Sequence, residues 1–277
     1  MTGQKRLQDI FKMLIHNSDF PRFCILTGQV GSGKKTMCDW IVDEFRKCNP
    51  SITSYKLPDV KIDTIREMIA TSYRAVNPII YIIADADTMS VQAKNSLLKI
   101  TEEPPNNAYF VMTLESTEMT LETVKSRASI FQLDPYTSDE IRAYSKRLGV
   151  SKADELGMIC DICDVPGDVE HMLIYGVKDF YGYVNKVIDN IDTADGANVF
   201  KASVKLALRD EDGYDVKLFL RAFMAVCAER MKKEEPLKYA TGTSITSKYM
   251  SQLGIRGVSK SMLIDAWIIE MRRYWTR

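Results

Sequence analysis

The chain has 277 residues, 45% of them hydrophobic and 27% charged, a globular mix that allows one large domain or two to three small ones. No apolar stretch approaches the ~20 residues of a membrane helix, and the N-terminal MTGQKRLQDIFKML is charged and amphipathic, without a signal-peptide core; a cytoplasmic protein with no membrane partner is expected. Lys plus Arg equals Asp plus Glu, 37 each, which excludes a free-standing nucleic-acid binder built on basic excess, so any DNA contact should be local or shared with partners.

Residues 5–16 carry Leu7, Ile10, Phe11 and Leu14 at helical spacing. The apolar FCILT, 23–27, runs into GQVGSGKKT, and Met37, Ile41 and Phe45 then recur with the helix period. A second helical pattern passes through Ile62, Ile65, Ile69 and Tyr73. IIYII, 79–83, rich in β-branched residues, reads as a buried strand. Ser90 is placed to cap a helix, VQAKNSLLKITEE, that Pro104 and Pro105 stop. Before it, Asp87 reads as a helix-cap carboxylate, while Asp85 could serve either the strand end or a ligand. AYFVMTL, 108–114, and SIFQL, 129–133, are further strands. Strands alternating with helices predict an α/β domain with a parallel sheet covered on both faces.

From Pro135 the pattern becomes helical. TSDE at 137–140 is a capping box whose helix Gly149 can close. SKAD opens another near Ser151, VPGD at 165–168 interrupts it, and VEHMLIY resumes. Residues 199–208, 216–231 and 262–274 have helical spacing, with DEDGYD and ATGTS read as turn-like linkers. The expected organisation is an α/β domain over 1–135, a small helical domain over 136–176 and an all-helical domain over 177–277.

The spacing Gly28-x-x-x-x-Gly33-Lys34, between a strand and a helix, is that of a phosphate-binding loop. Glycines let backbone N–H groups turn toward phosphate, and the following helix start favours negative charge. Gly28, Gly31, Ser32, Gly33, Lys34, Lys35, Thr36 and Asp85 are the candidate nucleotide-binding residues, with Lys34 reaching the β- and γ-phosphates. The motif then departs from its usual form. Lys35 stands where a Ser or Thr hydroxyl would hold magnesium, and Thr36, rotated by about 100° along the helix, cannot replace it. ATP or ADP could bind with magnesium poorly held.

DADTMSVQAKNSLLKITEEPPNNAYFVM resembles the AAA+ clamp-loader family of DNA replication. Leu97-Leu98-Lys99, Glu102-Glu103-Pro104-Pro105 and Ser126-Arg127 stand at the family's positions, Ala128 replacing the Cys of its SRC element. The degenerate IIADAD and GKK resemble the delta-prime branch of bacterial DNA polymerase III. The resemblance implies an AAA+ domain, a lid and an all-α collar that mediates assembly. It puts Ala84 at the Walker B aspartate position, Asp85 at the following glutamate, and Gly167 where active relatives have a sensor arginine. It further implies a subunit that does not hydrolyse ATP but offers Arg127 as an arginine finger to a neighbouring site. The implied partners are ATPase subunits, a clamp-opening subunit, the sliding clamp and primer–template DNA. The alternative is an ATP-hydrolysing clamp-loader subunit with unusual metal ligands.

Six cysteines occur, of which only Cys160 and Cys163 are close, too few for structural zinc; Cys38 and Cys48 likewise lack further ligands, so no zinc is expected. His16 and His171 are isolated and read as structural. Lys94 and Lys99 read as a solvated face that could also touch DNA phosphate.

Overall fold

The computed structural model describes residues 3–191, 214–233, 235–253 and 258–275. The expected helix at 199–208 lies outside these residues. The chain divides into two compact units, Met1–Tyr136 and Thr137–Arg277.

The first unit contains β1 (Phe23–Thr27), β2 (Thr53–Lys56), β3 (Ile79–Ile83), β4 (Ala108–Leu114) and β5 (Ser129–Gln132). They form one parallel sheet in the order β2-β3-β4-β1-β5. Side chains alternate between its faces, as the two-residue period of a strand requires. Phe23, Ile25, Tyr81, Ile83, Phe110, Met112 and Leu114 point to one side, where they meet Ile65 and Met68 of α3 (Ile62–Ser72). Cys24, Leu26, Ile80, Ile82 and Val111 point to the other, against α1 (Lys5–His16) and α2 (Lys34–Cys48). Both faces of the central strands are therefore dry, which is why their sequences read as unbroken apolar runs.

The strand β2 was not legible as an apolar run. Its TSYK is an edge strand with only Ser54 half-buried, and short polar edges are a usual protection against further pairing. The segment after β3 also differs from expectation. It is two short helices, α4 (Val91–Ser96) and α5 (Leu98–Glu102), with Leu97 at the break. Ser90 does cap α4, accepting from Ala93 N–H at 3.2 Å. A four-residue helix, α6 (Glu122–Lys125), precedes β5. Gln4 fastens the start of the chain to the end of the sheet. Its side chain donates to Asp134 O and accepts from Asp134 N–H, each at 2.7 Å.

Among the described residues the second unit is helical, with α7 (Ser138–Arg147), α8 (Ala153–Ile162), α9 (Pro166–Tyr175), α10 (Val177–Asn190), α11 (Tyr214–Arg230), α12 (Pro236–Met250) and α13 (Lys260–Trp275). The capping box at Thr137 and Glu140 is formed. ATGTS, expected to be a linker, lies inside α12. Pro236 opens that helix, and Gly242 sits beneath the Trp275 indole; packing overrides a turn-like composition. Trp267 stands edge-on to Phe219 and Phe223, with centroids 5.9 and 4.9 Å away, and donates its indole N–H to Thr246 Oγ1 at 3.0 Å. Among the described residues no helix is long and apolar enough to cross a membrane.

Candidate nucleotide site

The phosphate loop leaves β1 and enters α2, beside the carboxyl ends of β4 and β3. Crevices at the carboxyl ends of parallel strands are where open α/β sheets bind ligands. Gly28 N–H donates to Leu114 O at 3.2 Å, holding the loop against β4. Gly31 and Gly33 adopt φ of 78° and 89°, the left-handed region that costs glycine nothing. Gly28 is needed for space: a Cβ there would stand 2.8 Å from Ser32 Oγ. That hydroxyl is buried and has no hydrogen-bond partner. A glycine cradle lined by an unpartnered hydroxyl fits a phosphate group.

Lys34 is buried. Its Nζ donates to Gly28 O at 2.6 Å and Gln29 O at 2.9 Å. Burial pulls its ammonium below the usual lysine range, while Glu115, Asp87 and Asp85 pull it upward. These carbonyls hold the amine inside the loop, where the spacing of the motif puts a phosphate. Thr36 is exposed on α2.

Lys35 and Asp85, from opposite sides of the site, meet: Nζ lies 2.6 Å from Oδ2. Asp85 follows β3 with φ 53°, and its N–H donates to Thr113 Oγ1 of β4 at 2.9 Å. Asp87 is not a helix cap. It lies in the short 3-10 turn Ala86–Thr88, and its carboxylate accepts the Glu115 N–H at 3.0 and 2.9 Å. The cap position belongs to Ser90, and the Asp87 carboxylate instead ties the end of β3 to the end of β4. Tyr136 closes the loop from behind, its hydroxyl donating to Ser32 O at 2.9 Å. Thr113, Glu115 and Tyr136 were missed in sequence because strand-end and linker positions carry no local motif.

The residues present therefore fit phosphate better than magnesium. The hydroxyl after the loop lysine is absent, the Lys35 ammonium sits on Asp85, and the Asp87 carboxylate accepts the Glu115 N–H. Among the described residues no group of three or more His, Cys, Asp or Glu is arranged to hold a metal. Cys163 is buried with Sγ 3.8 Å from Met172 Sδ, whereas Cys160 Sγ faces Ser138 O at 3.6 Å. His16 pairs with Glu44 at 3.1 Å, and Lys99 lies over the Tyr73 ring at 5.1 Å.

Arg127 follows α6 and is exposed. Its Nη1 donates to Thr123 O at 2.9 Å, and its Nη2 is 3.2 Å from Glu102 Oε1. Gly167 lies in the first turn of α9, next to the buried Asp168.

A family model described as DNA polymerase III, delta subunit, matches residues 48–137. That segment contains Asp85, the Glu102–Pro105 run and Ser126-Arg127, but not the phosphate loop. Replication factor C small subunits from Haloarcula marismortui and Halobacterium salinarum are 22% and 20% identical over 56% of this chain. The chain spans about half the length of these curated relatives, 49% and 50%. Among solved structures, a DNA polymerase III gamma subunit-related protein from Thermotoga maritima is similar at TM-score 0.52 and 14% identity, over 97% of this chain and 99% of that one. The Thermotoga maritima RuvB Holliday junction branch migration motor is similar at TM-score 0.51 and 16% identity, over 80% of this chain and 88% of that one. At such identities the structural likeness speaks to fold alone. With the family model and the curated relatives, it supports an AAA+ protein of the clamp-loader type.

Proposed function

We propose that the chain is a non-hydrolysing, delta-prime-like subunit of a clamp loader, which binds nucleotide in its own loop without turning it over. The observation that carries this reading is the direct Lys35–Asp85 pair, 2.6 Å long: Lys35 takes the place of the hydroxyl that holds magnesium in hydrolysing P-loop proteins, and its ammonium sits on the carboxylate next to Ala84. Phosphoryl transfer rests on positioning and charge stabilisation around the γ-phosphate. Here the loop hydroxyl is missing, Ala84 stands at the Walker B acid position, and Gly167 stands at the sensor position.

In this reading residues 1–135 form the AAA+ domain, 136–176 the lid and 177–277 the collar that joins the other subunits. The partners are ATPase subunits, the clamp-opening subunit, the sliding clamp and primer–template DNA. Arg127 belongs to a neighbour's site. The test is ATP turnover by the isolated chain with magnesium. No turnover is expected; a rate on the order of 1 s⁻¹ that disappears in Lys34→Ala would favour a hydrolysing subunit instead.

A further inference from the structure

In hydrolysing P-loop proteins the hydroxyl after the loop lysine and the Walker B aspartate both reach a magnesium ion. Here Lys35 stands at the first place and Ala84 at the second, and the Lys35 ammonium meets Asp85, the next residue along. We propose that the Lys35 ammonium, seated on Asp85, replaces the divalent cation, so that the loop binds a nucleoside di- or triphosphate without metal. This inference rests on the nucleotide-binding reading above and adds how the phosphate charge is met.

Three observations carry it. First, the pair is a bridge between two separately held backbones. Lys35 is in the first turn of α2, and Asp85 is fixed by the hydrogen bond of its N–H to Thr113 Oγ1. The ammonium therefore stands between the loop and the end of β3, the gap that a hydrated cation would fill. Second, the carboxylates after β3 are already engaged. Asp87 accepts the Glu115 N–H at both oxygens, Asp85 carries Lys35, and Thr36 is turned out on the helix surface. A divalent ion entering at Asp85 would have to displace Lys35. Third, the pair can open toward a ligand. Its two side chains are 65% and 57% exposed, so their mutual attraction is screened and small.

The charge then balances without metal. A polyphosphate entering the glycine loop meets the backbone N–H groups at the start of α2, the buried Ser32 hydroxyl that lacks a partner, and the ammonium groups of Lys34 and Lys35. Lysine is suited to this as a compact point charge on a flexible stem. Asp85 keeps Lys35 aimed at the loop mouth and yields it when a more highly charged anion arrives.

The experiment is equilibrium binding of a fluorescent ATP analogue and of the matching ADP analogue to the full chain, in EDTA and in millimolar magnesium. Wild-type affinity should agree within about twofold between the two conditions. Lys35→Thr, which supplies a hydroxyl in place of the charge, should bind at least about tenfold more weakly in EDTA, as expected for loss of a charged hydrogen bond, and recover in part with magnesium. Lys35 is exposed on the helix surface, so this variant keeps the fold, checked by its thermal melting. Wild-type binding that weakens tenfold or more in EDTA overturns the inference while leaving nucleotide binding intact. So does a Lys35→Thr variant that binds in EDTA as tightly as wild type. Absence of binding under both conditions removes the nucleotide reading itself, and this inference with it.

Discussion

Arg221 Nη1 lies 2.6 Å from Asp168 Oδ2, and both side chains are buried. The same carboxylate oxygen accepts the N–H groups of Asp164 at 2.9 Å and Val165 at 3.3 Å, while the other arm of Arg221 pairs with Asp164. The first turn of α9 is thereby fastened to α11. Next to Gly167, the Asp168 carboxylate is thus engaged in an internal ion pair.

Removing one partner of a buried pair leaves an uncompensated charge, at a cost of about 3–5 kcal/mol. Arg221→Ala is therefore expected to lower the unfolding free energy of the second unit by about that much, read as a fall in its urea midpoint. The double variant Arg221→Met with Asp168→Asn should regain part of the loss, because the buried charge is gone while the Asn amide oxygen can still accept the Asp164 and Val165 N–H groups. In a Trp40→Phe background, which silences the first unit's tryptophan, fluorescence follows the second unit through Trp267 and Trp275, and an unchanged midpoint in Arg221→Ala would show that α9 is held by packing alone.

Gly242 makes a contrasting case on α12. A Cβ there would stand 2.5 Å from Trp275 Cζ2 and 3.1 Å from Cε2. Gly→Ala inside a helix ordinarily stabilises by about 0.5–1 kcal/mol. At Gly242 the sign should invert, since a rigid ring cannot yield 1 Å without moving α13 against α12, and overpacking costs about 1–3 kcal/mol. Gly157 in α8 and Gly182 in α10 have nothing within 4 Å of the added carbon, so alanine there should follow the ordinary rule. Thermal melts of the three variants check the contrast, and a stabilised Gly242→Ala would mean that the indole edge is free to move.

The parts readable from sequence were those written in consecutive residues. Gly28, Gly33 and Lys34 sit within seven residues of chain, and the three central apolar runs of the sheet, β3, β4 and β1, are contiguous because both faces are covered. What failed was non-local. TSYK became β2 only because β3 offers it a partner, Tyr55 standing beside Tyr81. ATGTS stayed helical because a tryptophan from a later helix covers its glycine. Asp87 reads as a cap because it stands just before a helix, where Asp is common. Its partner, the Glu115 N–H, is 28 residues away in sequence. The Lys35–Asp85 pair was equally hidden, although each residue had been singled out separately, since nothing in their spacing says that the two chain segments meet.

One source of acid sensitivity in the first unit should be traceable to a buried carboxylate. Glu44 is a buried carboxylate at the α1–α2 contact, and its pKa is lowered, first by the hydrogen bond from Lys47 and further by His16, against the opposing effect of burial. A depressed carboxylate stabilises the folded state fully above its unfolded pKa of about 4.3 and loses that contribution as pH falls through its lower folded value. Stability of the first unit should therefore be level with respect to this group above about pH 5 and decline below about pH 4. Glu44→Gln should flatten that decline. Urea unfolding followed by circular dichroism from pH 3 to 7 is the measurement, and an undiminished acid slope in the variant would assign the sensitivity to other carboxylates, such as Asp134 beside Arg6.

Arg127 tests the proposed role toward a neighbouring subunit. Its guanidinium is parked on Glu102, with Nη2 and Oε1 3.2 Å apart and side chains 39% and 53% exposed. An exposed pair of this kind is worth about 0–1 kcal/mol, so the arginine can leave Glu102 for a phosphate at little cost. An arginine finger contributes about 10³–10⁵ in rate through its planar fork. In a reconstituted clamp loader, Arg127→Ala should leave assembly intact and lower DNA- and clamp-stimulated ATPase at the adjoining site alone. Arg127→Lys should not restore it, because a single ammonium lacks the fork. Glu102→Gln separates the two readings. If Arg127 only ties α5 to α6, removing either partner should have the same small effect on ATPase. If Arg127 acts on the neighbour's nucleotide, Glu102→Gln should leave ATPase at or above the wild-type rate while Arg127→Ala abolishes it. Equal behaviour of the two variants would confine Arg127 to its contacts within this chain.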